Sequence, residues 1–107
     1  MPQWDPKAST YLAIGQRLSH LRYALGLTQR QLAHQLNISG PRWANYEVGT
    51  SRIPVDVALQ LVETWGVSLD WVYYGNQAGM PKALLRSVKA AAKQAARPVP
   101  RSVRAKR

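Results

Sequence analysis

Apolar residues recur through the first part of the chain at the spacing of one face of an α-helix. In residues 11–25 they stand four, three and four positions apart, which predicts an amphipathic helix. These positions are Ile14, Leu18, Leu21 and Leu25. Gly26 follows as the residue that ends such a helix. No segment alternates apolar and polar residues over the length of a strand, so the pattern predicts an all-α chain.

Capping residues predict two further helices joined by a tight turn. Thr28 precedes an apolar stripe and has Gln31 three positions later, which together make a capping box at the start of a second helix. Asn37 suits the left-handed position at its end. Ser39 then caps a third helix, and Pro41 is tolerated in the first turn because amides there have no partner within the helix.

Glycines and a serine delimit two more short helices. Residues 55–65 carry an apolar stripe and end at Gly66, and Ser68 caps a fifth helix that runs to Tyr74. Gly75 closes this part of the chain. We expect three tryptophans to be core residues because a small domain needs their apolar area; they are Trp43, Trp65 and Trp71.

A sixth helix is predicted over residues 81–97, with a basic face and an apolar face. The basic face consists of Lys82, Arg86, Lys89, Lys93 and Arg97. The chain therefore divides into an N-terminal arm (1–10), a five-helix domain (11–75), a linker with the basic helix (76–97) and a basic tail (98–107) that we expect to be disordered.

The charge is distributed unevenly along the 107 residues. The net charge is +10, but residues 1–75 carry only +1, and residues 76–107, which contain no acidic side chain, carry +9. A strongly basic segment favours polyanionic partners such as nucleic acid. No apolar run is long enough to cross a bilayer or to serve as a signal peptide, so we expect a soluble cytoplasmic protein.

The sequence offers no catalytic or metal-binding pattern. It has no cysteine, and neither His20 nor His34 has a partner at the spacing of metal ligands. The acids at Asp5, Asp56, Glu63 and Asp70 are scattered, so no pair of carboxylates for acid–base chemistry is predicted. No glycine-rich phosphate loop is present. We therefore predict that the protein is not an enzyme and needs no cofactor or metal.

Three segments in order resemble the Cro and phage-repressor (XRE) family of helix-turn-helix proteins. They are residues 27–39 (LTQRQLAHQLNIS), 43–49 (WANYEVG) and 67–71 (VSLDW). The resemblance covers about residues 11–75 and implies a five-helix, lambda-repressor-like DNA-binding domain. Its third helix would enter the major groove of double-stranded DNA, where base edges distinguish all four base pairs.

Four residues of the third helix are candidates for base readout. Arg42 and Asn45 stand three apart on the face predicted to point away from Trp43 and Tyr46. Arginine pairs with guanine and asparagine with adenine. At the first turn, where the family often has polar readers, this chain has Gly40 and Pro41. Direct readout is therefore expected to rest on fewer side chains.

The resemblance also assigns contacts to the DNA backbone. Gln29 matches the family residue that binds a phosphate at the N-terminus of the second helix, where free amides favour an anion. Further phosphate contacts are predicted for Thr28, Arg30, Arg17 and Arg52. The family also pairs an arginine of the first helix with the glutamate that ends the third, which assigns Arg22 and Glu47 to a structural ion pair.

These assignments indicate a DNA-binding transcriptional regulator, expected to be a homodimeric repressor at a palindromic operator in the nucleoid, with helices five and six as the dimer surface. The same assignments are also compatible with an activator that contacts RNA polymerase. The alternative is an adaptor, similar to antitoxins or bridging-factor coactivators, whose basic C-terminal segment binds another protein. A membrane-surface role for residues 81–97 is disfavoured because their apolar face is mostly alanine without an aromatic anchor.

Overall fold

The structure, a computed structural model, describes residues 6–96 and contains six α-helices over that part of the chain. A short 3-10 helix at Pro6–Ser9 precedes them. The helices are α1 (Tyr11–Ala24), α2 (Gln29–Gln35), α3 (Gly40–Val48), α4 (Val55–Trp65), α5 (Leu69–Tyr74) and α6 (Lys82–Ala96). No strand occurs among the described residues, and the predicted all-α fold is confirmed.

The predicted caps define the helix ends. Thr28 accepts a hydrogen bond from Gln31 N, and the Gln31 side chain accepts one from Thr28 N, which completes the capping box of α2. Ser39 caps α3 through Arg42 N. Asn37 adopts a positive φ of 59° between α2 and α3, a conformation that asparagine tolerates better than most residues.

Helix α1 lies at the centre of the packing and contacts α3, α5 and α6. Its buried face includes Leu18 and Leu21, which join Trp43 and Trp71 in one hydrophobic core. Trp65, also predicted as a core residue, is only half-buried. Gly15 marks the closest approach of α1 to α3: a Cβ there would lie 2.5 Å from the carbonyl oxygen of Tyr46 and nearer still to that of Glu47.

Helix α6 packs against α1. Val88 is only 5% exposed, Met80 in the preceding loop is buried, and Leu84 and Leu85 pack against the same core. In the structure, α1 of the same chain covers much of the apolar side of α6. The dimer surface predicted for helices five and six stays a prediction, to which α6 could contribute only its remaining exposed side.

Several predictions concern parts of the chain outside residues 6–96. These parts are the first half of the N-terminal arm, Arg97 of the basic face and the tail at residues 98–107. Within the described residues, no helix combines the length and apolar character needed to cross a membrane.

Candidate nucleic-acid interface

Helices α2 and α3 form the compact pair predicted for a helix-turn-helix. Only residues 36–39 separate them, and each helix begins with a hydroxyl side chain that accepts a backbone N–H. The turn is short because Asn37 reverses the chain in the left-handed conformation. The two helices pack directly on each other, which fixes the direction in which α3 presents its exposed side.

The buried Glu47 carboxylate connects three parts of this unit. Its Oε2 lies 2.6 Å from Arg22 Nε, and its Oε1 lies 3.2 Å from Arg22 Nη2, so the arginine of α1 binds it through two nitrogens. Gln29 Nε2 at the start of α2 donates to Oε1 at 3.0 Å. Trp43 Nε1, one turn earlier in α3, donates to Oε2. One carboxylate thus fixes α3 to both α1 and α2.

The surroundings of Arg22 favour its charged form. Arg22 and Glu47 are 8% and 9% exposed, and the hydrogen bond to Glu47 raises the pKa of Arg22 despite the opposing effect of burial. Arg22 Nη1 also donates to the carbonyl of Leu27 at 3.0 Å. A buried pair in which every nitrogen and oxygen has a hydrogen-bond partner fixes helix orientation more reliably than it adds stability.

The exposed side of α3 carries the candidate base readers. Asn45 and Pro41 are exposed and lie one turn apart, and the Cβ of an added side chain at Gly40 would meet no atom within 4 Å. Val48, which is not among the residues predicted from the sequence, belongs to the same side and is 61% exposed. The only sequence feature that could have identified Val48 is its position three residues after Asn45, which places both on one side of a helix.

Arg42 lies at the flank of α3, beside Tyr46 and not on the side away from it. Arg42 Nε donates to the Tyr46 hydroxyl at 2.7 Å. The ring of Tyr46 is buried, as helical spacing predicts, but its hydroxyl reaches the exposed Arg42. The helical angle between the two residues is too small to separate them onto opposite faces.

The residues at the start of α2 that are predicted to contact phosphate lie together at the surface. Thr28 and Arg30 are exposed, and Gln29 between them is half-buried. The capping box uses the amides of Thr28 and Gln31. The amides of residues 29 and 30 belong to the first helical turn, where no carbonyl of the helix can accept them. This end of α2 therefore presents backbone donors beside a cationic side chain.

Two other arginines predicted as phosphate contacts have partners within the domain. Arg52, exposed in the loop after α3, donates to the carbonyl of Ser9 at 3.1 Å and lies over the Tyr11 ring at 5.0 Å. Arg17 donates through Nε and Nη2 to the carbonyl of Val72, at 3.1 and 2.9 Å, and through Nη2 to that of Ala8.

The structure therefore places Arg17 away from the α2–α3 surface, as a link between α1, α5 and the 3-10 helix. Burial lowers the pKa of Arg17, as expected for a cation that three backbone carbonyl contacts hold partly out of water. The carbonyl it satisfies belongs to the last turn of α5, where the helix has no amide to offer.

The basic face of α6 is exposed at each of its described positions, Lys82, Arg86, Lys89 and Lys93. His34 is exposed and His20 half-buried, with burial lowering the pKa of His20. The described residues contain no group of histidines and carboxylates arranged to hold a metal ion.

Comparison with known proteins identifies a family for this arrangement. A family model described as "Helix-turn-helix domain" matches residues 15–78. The chain is 31% identical over 74 residues to the uncharacterized HTH-type transcriptional regulator YobD of Bacillus subtilis (strain 168), a match that covers 69% of this chain and 66% of that protein. No solved structure matches the chain.

A second relative, the HTH-type transcriptional regulator ImmR of Bacillus subtilis (strain 168), is 33% identical over 61 residues. That match covers 57% of this chain and 48% of the relative. The chain thus spans between about half and two thirds of the length of these two relatives. Residues 15–78, which the family model matches, include the three segments that carry the resemblance in the sequence.

Proposed function

Since the chain belongs to the XRE/Cro-type family of helix-turn-helix domains, we propose that it binds double-stranded DNA and regulates transcription. One observation carries the proposal. Helix α3 is fixed to α1 and α2 through Glu47, and its opposite side leaves Asn45, Pro41 and Val48 exposed. An α-helix with its side chains is about 10–12 Å in diameter, which fits a major groove about 12 Å wide.

In the proposed complex, Arg42 and Asn45 read base edges from α3. The Arg42 bond to Tyr46 uses Nε and leaves the terminal nitrogens of the guanidinium for guanine O6 and N7. Asn45 is exposed and can pair with adenine N6 and N7. Gly40 permits close approach of the backbone to DNA, and Pro41 and Val48 can contact thymine methyl groups. Each good bidentate pair contributes about 1–3 kcal/mol of discrimination.

The start of α2 supplies the proposed phosphate contacts. Gln29 uses one N–H of its side-chain amide for Glu47, so the other remains for a phosphate oxygen, with backbone amides of the first turn beside it. Thr28 and Arg30 flank this position, and Arg52 is a further candidate from the loop after α3. Because Arg17 is bound to carbonyls within the domain, we do not include it.

We further propose a homodimeric repressor at a palindromic operator, because one helix reads too few base pairs for useful specificity. The exposed apolar residues Val55, Leu59 and Tyr74 support α4 and α5 as the dimer surface. Val55 and Tyr74 line the same open cavity of about 510 Å³, and Leu59 lies one helical turn after Val55. A cytoplasmic, nucleoid-associated location would follow from this function.

Enrichment from a random duplex library tests the proposal. The parent chain should enrich a palindrome, and Arg42→Ala and Asn45→Ala should each flatten the preference at a different position. Gln29→Ala should weaken binding to all sequences alike. Gln16→Ala, at an exposed position of α1, is the matched control and should change neither. Failure to enrich any sequence, or enrichment that survives both α3 substitutions, would contradict base readout by α3.

The adaptor alternative needs a test that leaves the fold intact. Deletion of residues 76–107 would also remove Met80 and Val88 from the core, so loss of function after deletion would have two explanations. Substitution of exposed α6 charges avoids this difficulty. A chain that enriches no duplex but captures one protein through those charges would favour the adaptor.

A further inference from the structure

Helices α3 and α6 pack on opposite sides of α1. Gly15 and Arg22 face α3, through the close contact with Tyr46 and Glu47 carbonyls and through the ion pair. Arg17 and His20 instead line a groove with Leu85, Val88 and Ala92 of α6. At about 100° per residue, positions 17 and 20 lie roughly 140–200° around α1 from positions 15 and 22. A helix about 10 Å thick therefore separates α3 from α6.

The basic stripe of α6 faces away from that contact. We use this name for Lys82, Arg86, Lys89 and Lys93, which are exposed and stand at steps of four, three and four. Val88, on the opposite side of α6, is buried. The stripe extends about 16 Å at 1.5 Å per residue. Residues 76–107 contain no acidic side chain that would neutralise it.

We propose that the basic stripe binds a second DNA duplex, so that one domain bridges two segments of DNA. The inference rests on the proposed function for the first duplex, which α3 would hold on the other side of α1. A duplex in contact with α3 cannot also reach a surface that faces the opposite way. The stripe therefore adds a separate contact and does not strengthen readout by α3.

The chemistry of the stripe favours DNA over a membrane or a protein surface. Duplex DNA presents about ten phosphate charges over 16 Å, so four cations in a row find acceptors in any register. The larger apolar side chains of α6, Leu84, Leu85 and Val88, pack into the domain, which leaves no side chain of that kind to insert into lipid. The stripe itself carries no apolar anchor of the kind found at the centre of protein interfaces.

Capture of one duplex by another tests the proposal. A duplex enriched by the parent chain is tethered to beads, and a labelled duplex of unrelated sequence is added with protein. The parent chain should retain the label. The variant K82Q/R86Q/K89Q/K93Q should retain at least tenfold less labelled duplex than the parent chain. Its base preference on the tethered duplex should be unchanged. Glutamine is a good helix former, and circular dichroism checks that α6 persists.

A matched variant separates the stripe from net charge. R101Q/R104Q/K106Q/R107Q removes four positive charges from residues 98–107 and should retain the labelled duplex. Equal loss in both variants would overturn the assignment to the stripe. Retention by the stripe variant would overturn bridging by α6 and would indicate a second copy of α3 as the holder of the label.

A second arm remains informative if α3 reads no sequence. On the R42A/N45A background, binding to random duplex should depend on salt, and the four glutamines in α6 should reduce the slope of log K against log salt by about three to four. An unchanged slope overturns the proposal independently of α3. Flotation of this background with phosphatidylserine vesicles, without binding to duplex, would overturn it in favour of a membrane.

Discussion

Arg42 Nε lies 2.7 Å from the hydroxyl oxygen of Tyr46, one helical turn further along α3. The Tyr46 ring is buried and packs edge-on against Trp43, with the ring centroids 6.1 Å apart. The hydroxyl is therefore attached to a rigid part of the core. An exposed arginine, which otherwise samples many rotamers, is held by this bond, so less conformational entropy is lost when it contacts a base.

We expect Tyr46→Phe to weaken base discrimination at the position read by Arg42. The substitution keeps the ring and removes the bond that orders Arg42, so ordering this side chain at the base costs about 0.5–1.5 kcal/mol more. Discrimination at that base pair should fall by up to about tenfold, and at the Asn45 position it should not change. Competition with a panel of single base-pair variants measures both.

Tyr73→Phe is the matched control for this prediction. The Tyr73 hydroxyl donates to the carbonyl of Ile53 at 2.7 Å and not to a side chain of α3, so its removal should leave discrimination at every base pair unchanged. If Tyr46→Phe behaves in the same way, Arg42 does not depend on Tyr46 for its position.

Glu47→Gln should destabilise the domain without altering its shape. The variant leaves Arg22 buried without a counter-charge, and loss of one partner from a buried ion pair costs about 3 kcal/mol or more. Urea unfolding followed by tryptophan fluorescence measures the change. Glu63→Gln, at an exposed position of α4, should change the free energy of unfolding by less than about 0.5 kcal/mol. Similar effects of the two substitutions would show that the Glu47 contacts add nothing specific.

His20 should make the folded state less stable as the solution is acidified. Burial lowers the pKa of His20 below its usual 6.5, in a groove that it shares with Arg17 and Lys89. The unfolded chain therefore takes up the proton at higher pH than the folded chain, and stability falls as the pH drops below about 6.5. Full stability from this group is present above that pH.

His20→Gln should accordingly reduce the difference between urea midpoints at pH 7.5 and pH 5.5. The same substitution at the exposed His34 provides the control. Its difference between the two urea midpoints should equal that of the parent chain. An unaltered pH difference in His20→Gln would assign the acid sensitivity to other groups.

The sequence predicts those parts of the fold that local chemistry decides. The capping box of Thr28 and Gln31, the left-handed Asn37 and the glycine stops need only near neighbours in the chain, so each can be identified from residue type and spacing. The buried positions of Trp43 and Tyr46 follow from helical periodicity in the same way.

Features that depend on the approach of distant segments could not be predicted from spacing. The position of Arg17 depends on the carbonyl of Val72, 55 residues later. The docking of α6 on α1 depends on an apolar face that could equally have met a partner chain. The Glu47 contact of Gln29 requires α2 and α3 to cross at one particular angle. In the candidate site, residue identities were therefore available from the sequence, but of their partners only the Arg22–Glu47 pair was, through the family resemblance.

Substitution by alanine should affect stability at one glycine and DNA binding at another. At Gly15 the added Cβ would meet the carbonyls of Tyr46 and Glu47, so Gly15→Ala should lower the free energy of unfolding by about 2 kcal/mol or more. At Gly40 the Cβ would meet nothing within 4 Å, so Gly40→Ala should change it by less than about 1 kcal/mol. Its effect should appear in DNA binding: a methyl group at the start of α3 would keep the backbone from the groove and weaken affinity about tenfold, or 1.4 kcal/mol. Urea unfolding and duplex titration of both variants measure this, and full affinity in a stable Gly40→Ala would exclude close backbone approach at that position.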